Sequence, residues 1–154
     1  MPSHLKNALE TMTARIGEEE ILSEWTEVTQ DMINQFADIT GDHQWIHTDV
    51  ERARNGPFGA PIAHGHLTLA AFCRPRMGAP LPGKKMGINY GLNRVRFPAP
   101  VPVGARIRSR RILREVTIKA GMLELVNEVI VDIEGSPKPA CISHAVSRQS
   151  FADA

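Results

Sequence analysis

Residues 122–133 read MLELVNEVIVDI and predict the clearest strand in the chain. Apolar side chains occupy alternate positions, and the acidic side chains fall on the positions between them, as in a strand with one buried face. The apolar positions are Leu123, Leu125, Val129, Val131 and Ile133, with Asn127 as the one polar residue among them. The acidic positions are Glu124, Glu128 and Asp132. This segment therefore belongs to a sheet that is covered on one side.

Three further segments carry strand-like patterns, at Lys85–Phe97, Ala105–Val116 and Ala140–Ser147. Short Pro/Gly loops between them favour an antiparallel meander. Before them, an apolar helix runs from Gly65 through Phe72, limited by Pro75, and residues 78–83 (GAPLPG) form a turn cluster. A buried helix and a one-sided sheet must bury their apolar faces together. The expected fold class is α+β, with one curled antiparallel sheet wrapped around a central helix.

The N-terminal third predicts two helices with a strand between them. Residues 3–14 have helical composition, and Ile21–Val28 has strand character. Thr29 is a candidate N-cap for a second helix that Gly41 ends, with Ile33, Phe36 and Ile39 as its apolar residues. A short helical piece is expected at Asp49–Arg54 within a stretch that is otherwise loop.

Composition points to an ordinary globular chain. Its 154 residues are 42% hydrophobic and 23% charged, with a net charge of +1. We expect one domain over residues 1–154, with residues 1–17 as a helical N-terminal extension. The charge balance gives no sign of a nucleic-acid or membrane partner. Two cysteines, no signal-like segment and no apolar run of membrane length favour a cytoplasmic protein.

The unusual stretch is residues 36–66, FADITGDHQWIHTDVERARNGPFGAPIAHGH, which holds four of the six histidines. Asp42 and His47 lie five residues apart across a turn, so their side chains can converge on one water. A carboxylate and an imidazole placed in this way can act as acid and base in addition or elimination. The simpler interpretation is that Asp42 caps the following turn and His47 packs in the core. Spacing by itself favours the simpler interpretation.

Gly65 is the first residue of the apolar helix, so its N–H belongs to the unpaired donors of a helix N-terminus. Glycine permits close approach of a ligand to this amide, which could hold the oxygen of a thioester as negative charge develops. Glycine at this place could equally serve only to allow tight packing of the helix against the sheet.

Three other groups of residues are candidate sites. His43, His47, His64 and His66 with Asp42 could bind zinc, but no H-E-x-x-H or paired-cysteine pattern is present, so we expect no metal. Arg106, Arg108 and Arg110 alternate on one strand and could meet phosphates or simply form a solvated face; Arg94 and Arg96 are a second possible phosphate contact. Cys73 in the apolar helix is expected to be a packed thiol, with a nucleophile as the alternative.

The segments in order resemble a known family. Gly41-Asp42, four residues and His47, followed by PIAHG at residues 61–65, resemble the hydratase motif of the MaoC-like R-specific enoyl-CoA hydratases. The longer stretch of sequence, with INYGLNRVRFPAPVPVG at residues 88–104, is similar to the nodulation-protein-N branch of this family. The resemblance covers about residues 18–147.

This resemblance implies a hot-dog fold, a homodimer, and reversible hydration of trans-2-enoyl-CoA to (3R)-3-hydroxyacyl-CoA without a cofactor. It implies Asp42 and His47 as the catalytic pair and the Gly65 amide as the thioester-oxygen donor. Substrate contacts are expected from Trp45, His64, Arg94 and Arg96. The chain departs from the family between Asp42 and His47, where Asn-Pro is common but the residues here are His43, Gln44, Trp45 and Ile46. It also departs at Cys73, where better-known members place a serine that supports the aspartate. A hot-dog thioesterase and a non-catalytic acyl-CoA binding module are the alternative functions.

Overall fold

Six antiparallel strands form one sheet in the computed structural model, which describes residues 3–73 and 81–152. The strands are β1 (Glu19–Ile21), β2 (Thr26–Glu27), β3 (Lys84–Arg96), β4 (Arg106–Lys119), β5 (Met122–Ile133) and β6 (Cys141–Phe151). The helices are α1 (Ser3–Thr13), α2 (Gln30–Thr40), α3 (Trp45–Thr48), α4 (Val50–Arg54) and α5 (Gly65–Phe72). No helix among the described residues has the length and hydropathy needed to cross a membrane.

The strand order is β1-β4-β5-β6-β3, with β2 also paired to β4. The predicted meander is therefore correct for β4, β5 and β6 but wrong for β3, which pairs with β6 at the opposite edge. The connection between β3 and β4 contains Pro98, Pro100 and Pro102, which lack the N–H groups of a hairpin. It pairs elsewhere instead: Val101 O accepts from Ala63 N at 2.8 Å, and Val103 N donates to Pro61 O at 2.8 Å.

The apolar face of β5 lies against three helices. Val129 and Val131 are fully buried in a core that also contains Ile33 of α2 and Leu67 and Phe72 of α5. At the other end of the same face, Leu123 and Leu125 pack against Leu5, Ala8 and Met12 of α1. The predicted apolar face is thus covered by helices, with α1 on the part that α5 does not reach. Burial does not alternate along β5 as predicted, however, because Glu124, Val126 and Ile130 on the opposite face are also buried.

Helix α2 has the predicted ends but a different buried face. Thr29 Oγ1 accepts from Met32 N at 3.2 Å, and Gly41 ends the helix with φ +76°. Ile33 and Ala37 are buried, whereas Ile39 is 84% exposed. Six residues turn the helix by about 600°, which carries Ile39 away from the side of Ile33. The interpretation of Ile39 as part of the apolar face was wrong.

The strand predicted over Ile21–Val28 is interrupted. Between Ile21 and Thr26 the chain advances five residues while its partner β4 advances three, from Arg110 to Ile107. Within this bulge the Ser23 hydroxyl accepts from Ser109 N at 3.0 Å, in place of a backbone carbonyl. A side-chain oxygen that replaces a ladder acceptor splits one predicted strand into β1 and β2.

The alternating arginines of β4 make local contacts on the outer face of the sheet. Arg106 pairs with Glu134 at 3.0 Å, and Arg110 pairs with Asp132 at 2.8 Å. The Arg108 guanidinium lies 4.6 Å from the Trp25 ring centre. These contacts agree with the solvated-face interpretation rather than with a phosphate site.

The predicted limit of the central helix at Pro75, and residues 78–80 of the predicted turn cluster, lie outside the described residues. Within them, α5 ends at Phe72, and the Cys73 N–H donates to Leu69 O at 3.2 Å.

Helix α2 offers a matched test of this packing. Replacing fully buried Ile33 with alanine is expected to lower the free energy of unfolding by about 2–5 kcal/mol, because it leaves a cavity beneath the sheet. Ile39→Ala, six residues along the same helix, should change it by less than about 0.5 kcal/mol. Urea denaturation followed by circular dichroism measures both, and equal losses would contradict the orientation of α2.

Candidate active site

Asp42 is placed by the end of α2. The Gly41 N–H donates to Ala37 O at 2.8 Å, and the left-handed backbone at Gly41 reverses the chain so that Asp42 leaves the helix axis. Asp42 Oδ1 accepts from Gln44 N at 3.3 Å, which is the local turn of the simpler interpretation. The other carboxylate oxygen has no protein partner among the described residues. Asp42 can therefore hold the turn and still present an oxygen to a ligand.

His47 lies in α3, a single helical turn that the sequence did not predict. Its side chain is only 6% exposed, and Nδ1 lies 2.7 Å from Ile62 O. Because a carbonyl oxygen can only accept, Nδ1 carries the hydrogen, and Nε2 of the neutral ring is an acceptor. Gln30, the first residue of α2, donates its side-chain amide to His47 O at 2.8 Å. The ring is thus fixed with one basic nitrogen free.

His64 joins the two preceding residues. Its Nε2 lies 2.9 Å from the main-chain oxygen of Asp42, and its ring stacks on His47 with the ring centres 3.8 Å apart. Side-chain ligand atoms of Asp42, His47 and His64 lie within 4.8 Å of one another. The convergence of Asp42 and His47 that their spacing indicated is present in the structure.

These three side chains also raise the question of a metal ion. His47 Nδ1 and His64 Nε2 each donate to a backbone carbonyl, and His64 Nδ1 is sealed from solvent. Only His47 Nε2 and the Asp42 carboxylate remain to bind a ligand. Two donors are fewer than a stable zinc site uses, and the pair suits a hydrogen-bonded water better than a metal ion.

Gly65 begins α5 directly after His64, as predicted. Its N–H has no backbone acceptor among the described residues, and the helix N-terminus favours negative charge there. A Cβ at this position would lie 3.0 Å from ring atoms of Phe97, so the absence of a side chain lets the aromatic ring pack over the helix start. Both interpretations of Gly65, an accessible donor and a close packing contact, are compatible with this geometry.

A pocket of about 320 Å³ runs beside α5. Leu69, Ala70 and Cys73 form its helical side. Strands β3, β5 and β6 form the remainder, with Asn89, Tyr90, Gly91, Leu92, Asn127, Val129, Ala145, Val146 and Ser147. Leu69 is one helical turn beyond Gly65, so this mostly apolar space begins near the helix start.

The other residues expected to contact substrate are less well placed. The half-buried Trp45 ring packs on residues close to it in the chain. The Arg52 guanidinium lies 4.4 Å from its ring centre, and the ring lies against the backbone of Gly56. Arg94 and Arg96 are exposed on β3, and the Arg96 guanidinium donates to Val95 O at 2.7 Å. Neither ring nitrogen of His64 is free to meet a substrate.

Cys73 is a packed thiol. Its Sγ lies 3.7 Å from Cys141 Sγ, and both side chains are buried. The hydrogen bond with Cys141 lowers the pKa of Cys73, against the effect of burial. Cys73 is eight residues beyond Gly65, about 12 Å along the helix axis. Its hydrogen-bond partner is a thiol of β6.

Sequence reasoning did not identify two residues that shape the site. Gln30 holds the His47 carbonyl, and Phe97 covers the Gly65 backbone. Gln30 could have been noticed as a polar residue in the first turn of a helix that leads to Asp42. Phe97 lies more than thirty residues from Gly65 in the chain, and no local pattern connects them.

Comparison with known proteins agrees with this fold. The family model described as a MaoC-like domain matches residues 11–132. A 3-hydroxyacyl-thioester dehydratase Z from Mycobacterium tuberculosis is 48% identical, covering 89% of this chain and 92% of the relative. Nodulation protein N from Rhizobium leguminosarum is 44% identical, covering 94% of this chain and 92% of the relative.

Among solved structures, the (R)-hydratase from A. caviae involved in PHA biosynthesis has a TM-score of 0.67. It is 23% identical to the chain, and the match covers 89% of this chain and 96% of that one. This structural similarity bears on the fold alone. It confirms the predicted hot-dog architecture. The chain belongs to the MaoC-like dehydratase family, a family of hydro-lyases.

Proposed function

We propose that the chain catalyses the reversible hydration of a trans-2-enoyl-CoA to a (3R)-3-hydroxyacyl-CoA, with Asp42 and His47 as the acid/base pair. The observation that carries the proposal is the convergence of the His47 ring and the Asp42 carboxylate close to the start of α5, with His47 Nδ1 held by Ile62 O so that Nε2 is left for a ligand. The relative named 3-hydroxyacyl-thioester dehydratase, which shares almost the full length of the chain, supports a thioester substrate.

Each group has a role that its geometry supports. His47 Nε2 accepts a proton from water, and the Asp42 carboxylate orients the water by accepting a hydrogen bond from its other O–H, which is retained in the product hydroxyl. The water oxygen bonds to C3 as the C2–C3 double bond shifts its electrons toward the thioester oxygen. The Gly65 amide donates to that oxygen while it carries negative charge. The Asp42–His47 pair then returns the proton to C2, so the elements of one water are added.

The remaining substrate contacts follow from the surroundings. The apolar pocket beside α5 has room for an acyl chain. Arg94 is exposed on β3 and can meet a phosphate of CoA, with Arg96 as a second candidate. Trp45, whose ring contacts Arg52 of α4, is a third candidate contact.

Crotonyl-CoA distinguishes this function from its alternatives. We expect loss of the conjugated enoyl absorbance without release of free thiol, and chiral analysis should identify the 3R product. Asp42→Asn and His47→Ala should each lower turnover by at least about a hundredfold, because each removes a proton-transfer group. His43→Ala is the matched control, because His43 is exposed and pairs with Asp38 instead.

Each contrary outcome of this assay has a distinct meaning. Thiol release in step with substrate loss would identify a thioesterase, and binding without turnover would identify an acyl-CoA binding module. Near-normal hydration by either Asp42→Asn or His47→Ala would contradict the assignment of the pair.

The role of Gly65 can be tested with an added methyl group. Gly65→Ala should lower turnover between about tenfold and a thousandfold, because the methyl and the displaced Phe97 ring crowd the amide. Phe97 is 41% exposed, so its ring can move and the fold should survive. Gly87→Ala on β3, where a Cβ meets only ordinary contacts, should leave turnover unchanged. Wild-type turnover by Gly65→Ala would remove the amide from the mechanism.

We further propose that the working form is a homodimer paired through β3. This strand lies at the end of the sheet order, and its side chains Met86, Ile88, Tyr90 and Leu92 are exposed. An apolar edge strand left open to water is a site for pairing with another chain. A second copy would cover these side chains and close the side of the pocket that β3 forms.

Light scattering should give about twice the chain mass of 17.0 kDa. Ile88→Lys should shift the protein toward monomer, because it places a charge in the proposed interface. Ile39→Lys, an equal change on the exposed side of α2, should leave the dimer intact. A wild-type monomer that turns over substrate at micromolar concentration would overturn the dimer, and loss of the dimer in Ile39→Lys would move the interface away from β3.

A further inference from the structure

Among the described residues, the side chain of His64 contacts both members of the proposed catalytic pair. It donates from Nε2 to the main-chain oxygen of Asp42 at 2.9 Å, and its ring lies 3.8 Å from that of His47, centre to centre. The two rings are inclined by only 25°, so the contact is face to face. Its backbone leads directly into Gly65 and the start of α5. Its place therefore links the turn after α2, the helix α3 and the start of the central helix.

The hydrogen bonds of His64 fix its tautomer. A carbonyl oxygen can only accept, so Nε2 carries a hydrogen and Nδ1 of the neutral ring is a bare acceptor. Nδ1 is buried and has no hydrogen-bond partner among the described residues. A proton placed there would create a buried N–H without an acceptor.

The surroundings also favour the neutral ring. Burial lowers the pKa of His64, the hydrogen bond to Asp42 opposes this effect, and the nearby His47 lowers the pKa further. An imidazolium at this place would face His47 across the stack. A neutral His64 lets His47 take up a proton during turnover without a like charge against its face.

We infer that His64 is a positioning residue: it holds the backbone of Asp42 and the ring plane of His47 in register while remaining neutral itself. This inference rests on the proposed catalytic pair and replaces the expectation that His64 contacts substrate, since neither of its ring nitrogens is open to the site. It predicts that changes at His64 lower the rate of the chemical step more than they weaken substrate binding.

Two substitutions separate the contacts of His64. His64→Gln keeps an amide donor near the place of Nε2 but removes the stacked ring, whereas His64→Phe keeps a ring and removes the donor. Each should lower kcat for crotonyl-CoA by at least about tenfold, because small displacements of reacting groups are costly, with KM changed less than about threefold. Phe36→Leu is the matched control, because the Phe36 ring packs on the His64 ring itself, with ring centres 5.0 Å apart, and carries neither the hydrogen bond to Asp42 O nor the stack on His47. It should keep kcat within about threefold of wild type.

A measurement on the unmodified protein tests the tautomer independently of folding in the variants. Nitrogen NMR of ¹⁵N-histidine-labelled protein should show His64 neutral and protonated at Nε2 between about pH 6 and pH 8. A charged His64, or one protonated at Nδ1, would overturn the inference.

The kinetic outcomes separate this inference from the proposed function. If Asp42→Asn is inactive while both His64 variants retain wild-type kcat, the inference fails and the proposed function stands. If the His64 variants raise KM and leave kcat unchanged, His64 contacts substrate after all and the inference fails. If Asp42→Asn retains activity in the same assay, the proposed function itself fails.

Discussion

The structure depends on excluding water from one apolar face of β5 along its whole length. That face carries an apolar side chain at nearly every second position from Leu123 to Ile133, and exposing it would leave a continuous apolar stripe in water. No single helix in the described part of the chain is long enough to cover it. Helix α1 packs on one end, and α5 and α2 pack on the other. The positions of these helices, and hence of the site at their ends, follow from this requirement.

The connection between β3 and β4 fixes the starts of α2 and α5 by backbone hydrogen bonds. Its backbone bonds residues 61–63 through Val101 and Val103, and Gly104 and Ala105 bond Val28 just before α2. The Ile62 N–H donates to Ile46 O, and the Ile62 carbonyl accepts from His47 Nδ1. One crossing segment thus anchors the entry to α5, the entry to α2 and the orientation of the His47 ring. A hairpin between β3 and β4 would have left these three places without a common support.

Backbone groups, rather than charged side chains, orient the imidazoles. Carbonyl oxygens of Ile62 and Asp42 accept from His47 and His64, so both tautomers are set without a neighbouring carboxylate paired to either ring. This leaves the Asp42 carboxylate available at the open side of the site. His64 is 3% exposed, and its ring nitrogens are enclosed by protein. His47, by contrast, keeps Nε2 free for a ligand.

The sequence determined the features that arise within a few residues of each other. Alternation defined the buried face of β5, Thr29 and Gly41 bounded α2, and the spacing after Gly41 brought Asp42 and His47 together, because these are short-range effects of backbone geometry and capping. Only the tertiary structure decided that β3 pairs with β6, that Ser23 interrupts a strand, that Phe97 covers Gly65, and which ring nitrogens carry hydrogen. Each of these depends on a partner distant in the chain, and that partner is chosen by how the whole apolar face is covered. Local periodicity contains no information about that choice.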